Sequence, residues 1–461
     1  MNSHPFTRSS SEVRDLNRMA AAFGGVPVSR RETMRRCLYG SAGLLLMEPF
    51  TVRAMQPLPA GRARSVIQIW LWGGPCHIDT FDPKPEAGKD YSGQLDAPIA
   101  TNVSGMQIGQ LLPELAKIAD KYSLIRSMTH GNNGHETAAY LVQTGRSSER
   151  DVFPSLGAVT SYFRGYEAGY KGLIPPYIVL TEPQGRFSEA GFLGPKYKPF
   201  ATGGDPAASV FAVEGIIAPG ISEKRQQERR KFLRSINTLG GALPGNATLN
   251  TIVQNEEQAY EMILGDAGKL FDLNQEAGDV RDRYGRNTFG QSCLMARRLA
   301  EKGVPYITIN YKGWDTHKQH FQTMNRKLPE LDKGMAALIS DLSERGLLDS
   351  TIVWCSGEFG RTPKVQTESP WNGGRHHWGK CFASLLAGGG FKGGQVVGSS
   401  DAKGEEVKDR PVYPADLIGS IYGQLGIPAE ATLPHPLGTL THVVPDKSEN
   451  VPTGGMLKEI L

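Results

Sequence analysis

The chain of 461 residues is 39% hydrophobic, enough for a sizeable core, which excludes global disorder. Residues 1–54 hold eight arginines and no lysine against four acidic residues, so the remainder balances at 43 basic and 43 acidic. A neutral body with no basic tract excludes nucleic acid as the expected partner.

Near the amino terminus, Ser29-Arg30-Arg31-Glu32-Thr33-Met34-Arg35-Arg36 precedes a short apolar stretch over 37–47. A basic region, about ten weakly apolar residues and a small-residue exit predict an export signal over 1–54, not a transmembrane span. The paired arginines resemble the twin-arginine signal of bacteria, which makes that export machinery a partner and the periplasm or exterior the destination. Thr33 stands where that signal prefers phenylalanine, and 28 residues precede the motif. Cleavage is expected after Val52-Arg53-Ala54. Cys76, Cys293, Cys355 and Cys381 would remain, without zinc-ligand spacing, and read as buried small hydrophobes.

Residues 65–72 form a β-branched and apolar run ending in Gly73-Gly74-Pro75, a buried strand opening into a loop. Apolar spacing predicts a helix over 111–122, a strand over 123–128, a helix over 136–144 ended by Gly145, and a strand over 177–180. From about 150 to 290 the chain is richer in Gly, Pro and charge, with a polar helix over 222–239. These are expected insertions within one domain spanning 55–461. Then follow a strand over 305–310, a long amphipathic helix over 321–345, strands over 350–355 and 382–386, and a helix over 416–425. Strand alternating with helix, without hairpin turns, predicts an α/β fold. Its form would be a doubly wound, mostly parallel sheet with helices on both faces. Ligands in such folds bind beyond the carboxyl ends of the strands.

Most of the histidines fall in loops that follow predicted strands. After the first strand comes Gly73 to Asp82, with Cys76, His77, Asp79 and Asp82. The second leads into Thr129-His130-Gly131-Asn132-Asn133-Gly134-His135-Glu136. Later loops hold Gly313-Trp314-Asp315-Thr316-His317, Ser356-Gly357-Glu358-Phe359-Gly360-Arg361 and Gly374-Arg375-His376-His377-Trp378. Imidazoles with carboxylates suit zinc, manganese or iron, whereas an all-oxygen cage suits calcium or magnesium. His320 reads as a surface residue or one supporting the ligands, and His435 and His442 as structural. Arg146 and Arg361 follow glycine-containing turns, and guanidinium is the fitting group for a sulfate or phosphate oxyanion. Either arginine is equally readable as a carboxylate partner.

Together these loops resemble a bacterial family known as domain of unknown function 1501, sulfatase-like and close to the alkaline phosphatase and sulfatase superfamily. The resemblance runs from about Ser65 to Pro445 and is most specific at residues 72–85 (WGGPCHIDTFDPKP), 313–317 (GWDTH) and 356–363 (SGEFGRTP). It implies an alkaline phosphatase-like sheet with inserted loops and helices. It also aligns Glu358 with a metal-binding aspartate and Phe359 with a histidine or asparagine ligand. His135 falls at the nucleophilic cysteine of sulfatases, with Thr137, Ala138 and Ala139 at the positions that follow it in their signature. A formylglycine nucleophile cannot be made from histidine. His135 is therefore left as a metal ligand, general base or phosphoryl acceptor, with Thr129 and Thr137 as fallback hydroxyls. Gly73 and Gly74 occupy the place of the superfamily's first-strand aspartate, so His77, Asp79 or Asp82 must substitute.

The resulting expectation is an exported metal-dependent hydrolase of sulfate or phosphate esters, with a small molecule or a sulfated polysaccharide as substrate. Its metal ligands would be His77, Asp79, Asp315, His317, Glu358 and His377, holding a divalent zinc, manganese or calcium ion. His135, Arg361 and Arg146 would act on the ester, and Trp314 and Trp378 would wall the pocket. A divalent ion lowers the pKa of bound water towards about 7, so no protein nucleophile is required. The rival is a non-catalytic, metal-containing binding or structural protein on the same fold.

Overall fold

Val66, Ile67, Ile69, Trp70 and Leu71 are all fully buried in β1 (Ser65–Trp72), as a strand covered on both faces requires. The computed structural model describes residues 60–147, 151–183, 189–217, 220–236 and 247–461, and places β1 inside an eight-stranded sheet. The other strands are β2 (Tyr122–Met128), β3 (Tyr177–Leu180), β4 (Phe200–Ala201), β5 (Tyr306–Lys312), β6 (Thr351–Ser356), β7 (Phe382–Ala387) and β8 (Val396–Val397). Their spatial order is β8-β2-β7-β6-β1-β5-β3-β4. Every pairing is parallel except those of β7, which runs antiparallel to both β2 and β6.

Helices cover both faces. The longer helices among the described residues are α1 (His135–Thr144), α2 (Leu156–Arg164), α3 (Glu223–Ile236), α4 (Ala247–Leu264), α5 (Thr288–Glu301), α6 (His320–Glu344) and α7 (Pro414–Gln424). Register puts Ile67, Ile307 and Ile178 side by side, and this row joins one apolar cluster with Leu294 of α5 and Met335 of α6. The adjacent row, Val66, Tyr306 and Tyr177, faces the other way. There Gly157 of α2 lies against the Tyr177 ring, so close that a Cβ would stand 2.4 Å from it. The sheet is therefore doubly wound and mostly parallel. Pro57–Leu461 makes one compact unit.

Local departures from the expected elements have physical causes. The predicted helix over 111–122 shortens to Pro113–Ala116 followed by a 3-10 turn, Ala119–Lys121. Its apolar residues, Leu112, Leu115 and Ala119, are buried as their spacing implies, but spacing reports burial and not helix length. Helix α5 escapes the apolar pattern because Arg297 and Arg298 interrupt it. Arg297 is buried only through its ion pairs with Glu276, Glu301 and Asp341. All four cysteines among the described residues are free and buried. The export signal expected over 1–54 lies outside the described residues. Among these residues no helix is long and apolar enough to cross a membrane.

Under the loop that follows β5, Lys327 of α6 is buried and donates to Lys312 O at 2.6 Å, its ammonium 3.9 Å from the Tyr311 ring centroid. Burial pushes its pKa down to about 8. An unfolded lysine titrates near 10.4, so the folded state binds fewer protons between those values and stability rises with pH across the window. Lys327→Met is expected to be the more stable protein at neutral pH, with the gap closing by about 2–3 kcal/mol between pH 8 and 10. Urea unfolding of both proteins across that range checks it; a gap that does not move with pH refutes it.

Candidate functional site

Parallel register aligns the carboxyl ends of three strands: Trp72 pairs with Lys312, and Trp70 with Ser356. Gly73, Gly313 and Gly357 thus leave the sheet side by side. Gly73 has φ of +111°, and a Cβ there would lie 2.1 Å from the Asp315 nitrogen. Only glycine admits that approach, which brings the first loop against the 313–317 loop. A two-residue ribbon, Gly360–Arg361 against His377–Trp378, folds the last two loops together over the same edge.

Asp315 is the centre of the arrangement. One of its oxygens lies 3.1 Å from both His377 Nε2 and His317 Nε2, and the other lies 3.3 Å from His135 Nε2. The two imidazole nitrogens His317 Nε2 and His377 Nε2 are themselves 2.9 Å apart. His377 Nδ1 donates to Asn133 O at 2.8 Å, which turns Nε2 and its lone pair inward. Ligand atoms of His135, Asp315 and His377 all fall within 4.8 Å of one another. The Asp315 side chain is 43% exposed, so the cluster opens to solvent.

Glu358 supplies the floor. It is completely buried, and its Oε1 accepts from Gly73 N at 2.9 Å and from His135 Nδ1 at 2.6 Å. Its Oε2 is buried without any partner. A buried carboxylate oxygen left empty beside convergent imidazoles and a second carboxylate is what a divalent ion would satisfy. His130 holds this loop: its Nδ1 accepts from Asn132 N, so its Nε2 donates to Glu358 O at 2.7 Å.

Electrostatics follow from these contacts. Hydrogen bonds to Asp315 and then to Glu358 raise His135 to about 9, against the effect of burial. Burial alone would raise the Asp315 carboxyl, but His135 and the Arg361 guanidinium hold it far below the usual carboxylate range. Burial pushes His317 down, keeping its imidazole neutral. Two indoles flank the row of rings. Trp72 stacks on His135 at 5.8 Å, and Trp371 meets His376 at 4.6 Å.

A family model described as protein of unknown function (DUF1501) matches residues 63–453. The chain belongs to the DUF1501 family. No curated protein matches it. Solved structures similar to this DUF1501 chain include the sulfatase PsFucS1 from Pseudoalteromonas sp., at 14% identity, covering 85% of this chain and 72% of that one, TM-score 0.39. A protein in the alkaline phosphatase superfamily from Vibrio parahaemolyticus is 10% identical over 84% and 73%, TM-score 0.36. Ps i-CgsB in complex with a neocarrahexaose is 12% identical over 84% and 74%, TM-score 0.37. At such TM-scores these likenesses bear no weight on the chemistry.

The DUF1501 fold gathers Asp315, His317, Glu358, His377 and His135 but leaves other predicted residues apart. His77 is buried and its Nε2 lies 2.9 Å from Gly404 O, because the tight turn in which Thr80 N and Asp82 N both bond His77 O aims it at the 399–406 loop. Asp79 belongs to a second, wholly buried group with Cys76 and His320. Asp82 bonds Ser400, Lys84 and Arg126. Neither arginine is free for an oxyanion. Arg146 is buried against Glu449, with Nε and Nη2 bonded to its two oxygens at 2.6 and 2.8 Å and Nη2 also to His442 O. Arg361 is fully buried and spends its donors on Gly73 O, Gly74 O, Arg375 O and Asp315. Its place is behind Asp315, holding that carboxylate.

Trp314 does not wall the pocket but is fully buried beside Tyr311, and Trp378 donates its indole N–H to Glu405 O. The Thr137 hydroxyl donates to Asn132 Oδ1 at 3.0 Å. Sequence reasoning missed Trp72 and Trp371 as the flanking rings, and His376, whose Nδ1 lies 2.8 Å from His317 Nδ1. The doubled histidine at 376–377 was the one signal for the last of these.

Proposed function

We propose that this DUF1501 protein is a divalent-metal-dependent hydrolase of sulfate or phosphate esters. The observation that carries the reading is the unpartnered, buried Glu358 Oε2 beside the converging donors of His135, Asp315 and His377. Asp315, His377, His317 and His135 would hold the ion together with Glu358, and three imidazoles with carboxylates favour zinc or manganese over calcium. When bound, the ion supplies Lewis acidity towards an ester oxygen. The chain's own residues orient that centre: Asn133 O fixes the tautomer of His377, and Arg361 holds Asp315. Trp72 and Trp371 offer apolar faces at either end, suited to the ring of a sugar or an aryl ester. The paired arginines at 30–31 support export to the periplasm or beyond.

Phe359 favours a second reading, a metal-containing binding protein. It is fully buried and stacks on His377 at 4.5 Å, filling with an apolar ring a place the superfamily gives to a ligand. The test is elemental mass spectrometry of protein purified without chelators, beside His377→Ala. Wild type is expected to hold about one ion per chain and the variant none. No stoichiometric metal after soaking with zinc and manganese sinks the hydrolase. A metal-loaded protein inert to aryl sulfates and aryl phosphates selects the binding protein.

A further inference from the structure

Behind the metal cluster lies a hydrogen-bonded chain in which no member is more than 4% exposed: Asp79, His320, Thr316 and Arg375. His320 Nε2 is 2.6 Å from Asp79 Oδ2, and His320 Nδ1 is 2.6 Å from Thr316 Oγ1. Arg375 reaches the same carboxylate, with Nε 3.1 Å from Oδ2 and Nη2 3.2 Å from Oδ1. Burial works against the charge on Asp79, but Arg375 and His320 outweigh it and keep the carboxyl below its usual range. The proton order follows. An ionised Asp79 accepts His320 Nε2–H, which leaves Nδ1 to accept the Thr316 hydroxyl proton.

Cys76 completes a trio with Asp79 and His320 whose ligand atoms lie within 4.8 Å, so a second ion has to be weighed. The Arg375 guanidinium opposes it, since it lies within the same buried group and already neutralises Asp79.

We propose instead that Asp79, His320, Thr316 and Arg375 are positioning residues that lock together two of the loops carrying the metal ligands, 313–317 and 374–378. Thr316 sits between Asp315 and His317, and Arg375 immediately precedes His376 and His377. Arg375 N donates to Thr316 O at 3.0 Å, joining the loops directly, and its guanidinium donates to Thr362 O at 2.9 Å and Tyr91 O at 2.6 Å. Residues that orient ligands in this way commonly change metal affinity about 10- to 100-fold when replaced. The inference rests on the metal reading of the cluster above.

Cobalt(II) titration of the full chain tests it, reading affinity, stoichiometry and the visible absorption bands, with melting of the metal-free proteins alongside. Thr316→Val keeps shape but cannot donate to His320; Thr316→Ser restores the donor. The valine variant is expected to bind cobalt about 10- to 100-fold more weakly, with shifted bands, and the serine variant to recover both. Cys76→Ser should leave stoichiometry unchanged. Wild-type affinity and bands in Thr316→Val, even with a lower melting temperature, overturn the positioning role. Loss of one ion in Cys76→Ser overturns it in favour of a second metal site. A wild type that binds no cobalt defeats the metal reading itself, and this inference with it.

Discussion

Asp315→Asn should abolish metal retention and reduce turnover of aryl sulfates or phosphates by at least about a thousandfold, the several kcal/mol that a lost metal ion costs a transition state. The reason is geometric. Asp315 is in contact with His135, His317, His377 and Arg361 at once. The amide keeps the shape but halves the acceptor capacity and removes the charge that draws the imidazoles inward. Elemental analysis and steady-state rates on the same preparation check both halves. Activity that survives in a metal-free Asp315→Asn protein would show that the chemistry lies elsewhere.

Arg361→Met should act on stability instead. Its guanidinium is fully buried, and its removal strands three carbonyls, of Gly73, Gly74 and Arg375, besides leaving Asp315 without its cation. Because the Asp315 side chain is 43% exposed, water screens the lost ion pair, and the cost comes mainly from the stranded carbonyls, about 1–3 kcal/mol for each one left buried and unmet. Urea denaturation is expected to show a loss of that order, with the largest change in protection around 73–76 and 313–317 by hydrogen exchange. A midpoint like that of wild type would mean the loops hold each other without the arginine.

The sequence exposed the sheet's strands and the loops beyond them because buried strands are apolar runs and the turns that leave them are glycine-rich. It brought forward Asp315, His317, Glu358 and His377 for that reason. Within the first loop it could not separate His77 from Asp79, since the direction of each depends on the turn around His77 O and on partners some 300 residues distant, Gly404 and Arg375. Arg146 was misread on the same ground: Glu449, which claims it, is 303 positions away. Trp314 looked like a pocket wall because an indole in a site loop is usually exposed, yet Tyr311 and Lys327 enclose it. The direction of β7 was also hidden, because burial periodicity is the same for a strand read either way.

That reversed strand has an architectural effect. In a purely parallel sheet the chain after β6 would have to cross to the far edge before its next strand. Because β7 is antiparallel, the chain between Ser356 and Phe382 leaves and returns at one rim, like a handle fixed at both ends. Its length is therefore decoupled from strand register. Residues can be added to or removed from the 367–373 arc without rethreading the sheet, which lets the mouth over His376 and His377 be reshaped while the floor at Glu358 stays in place.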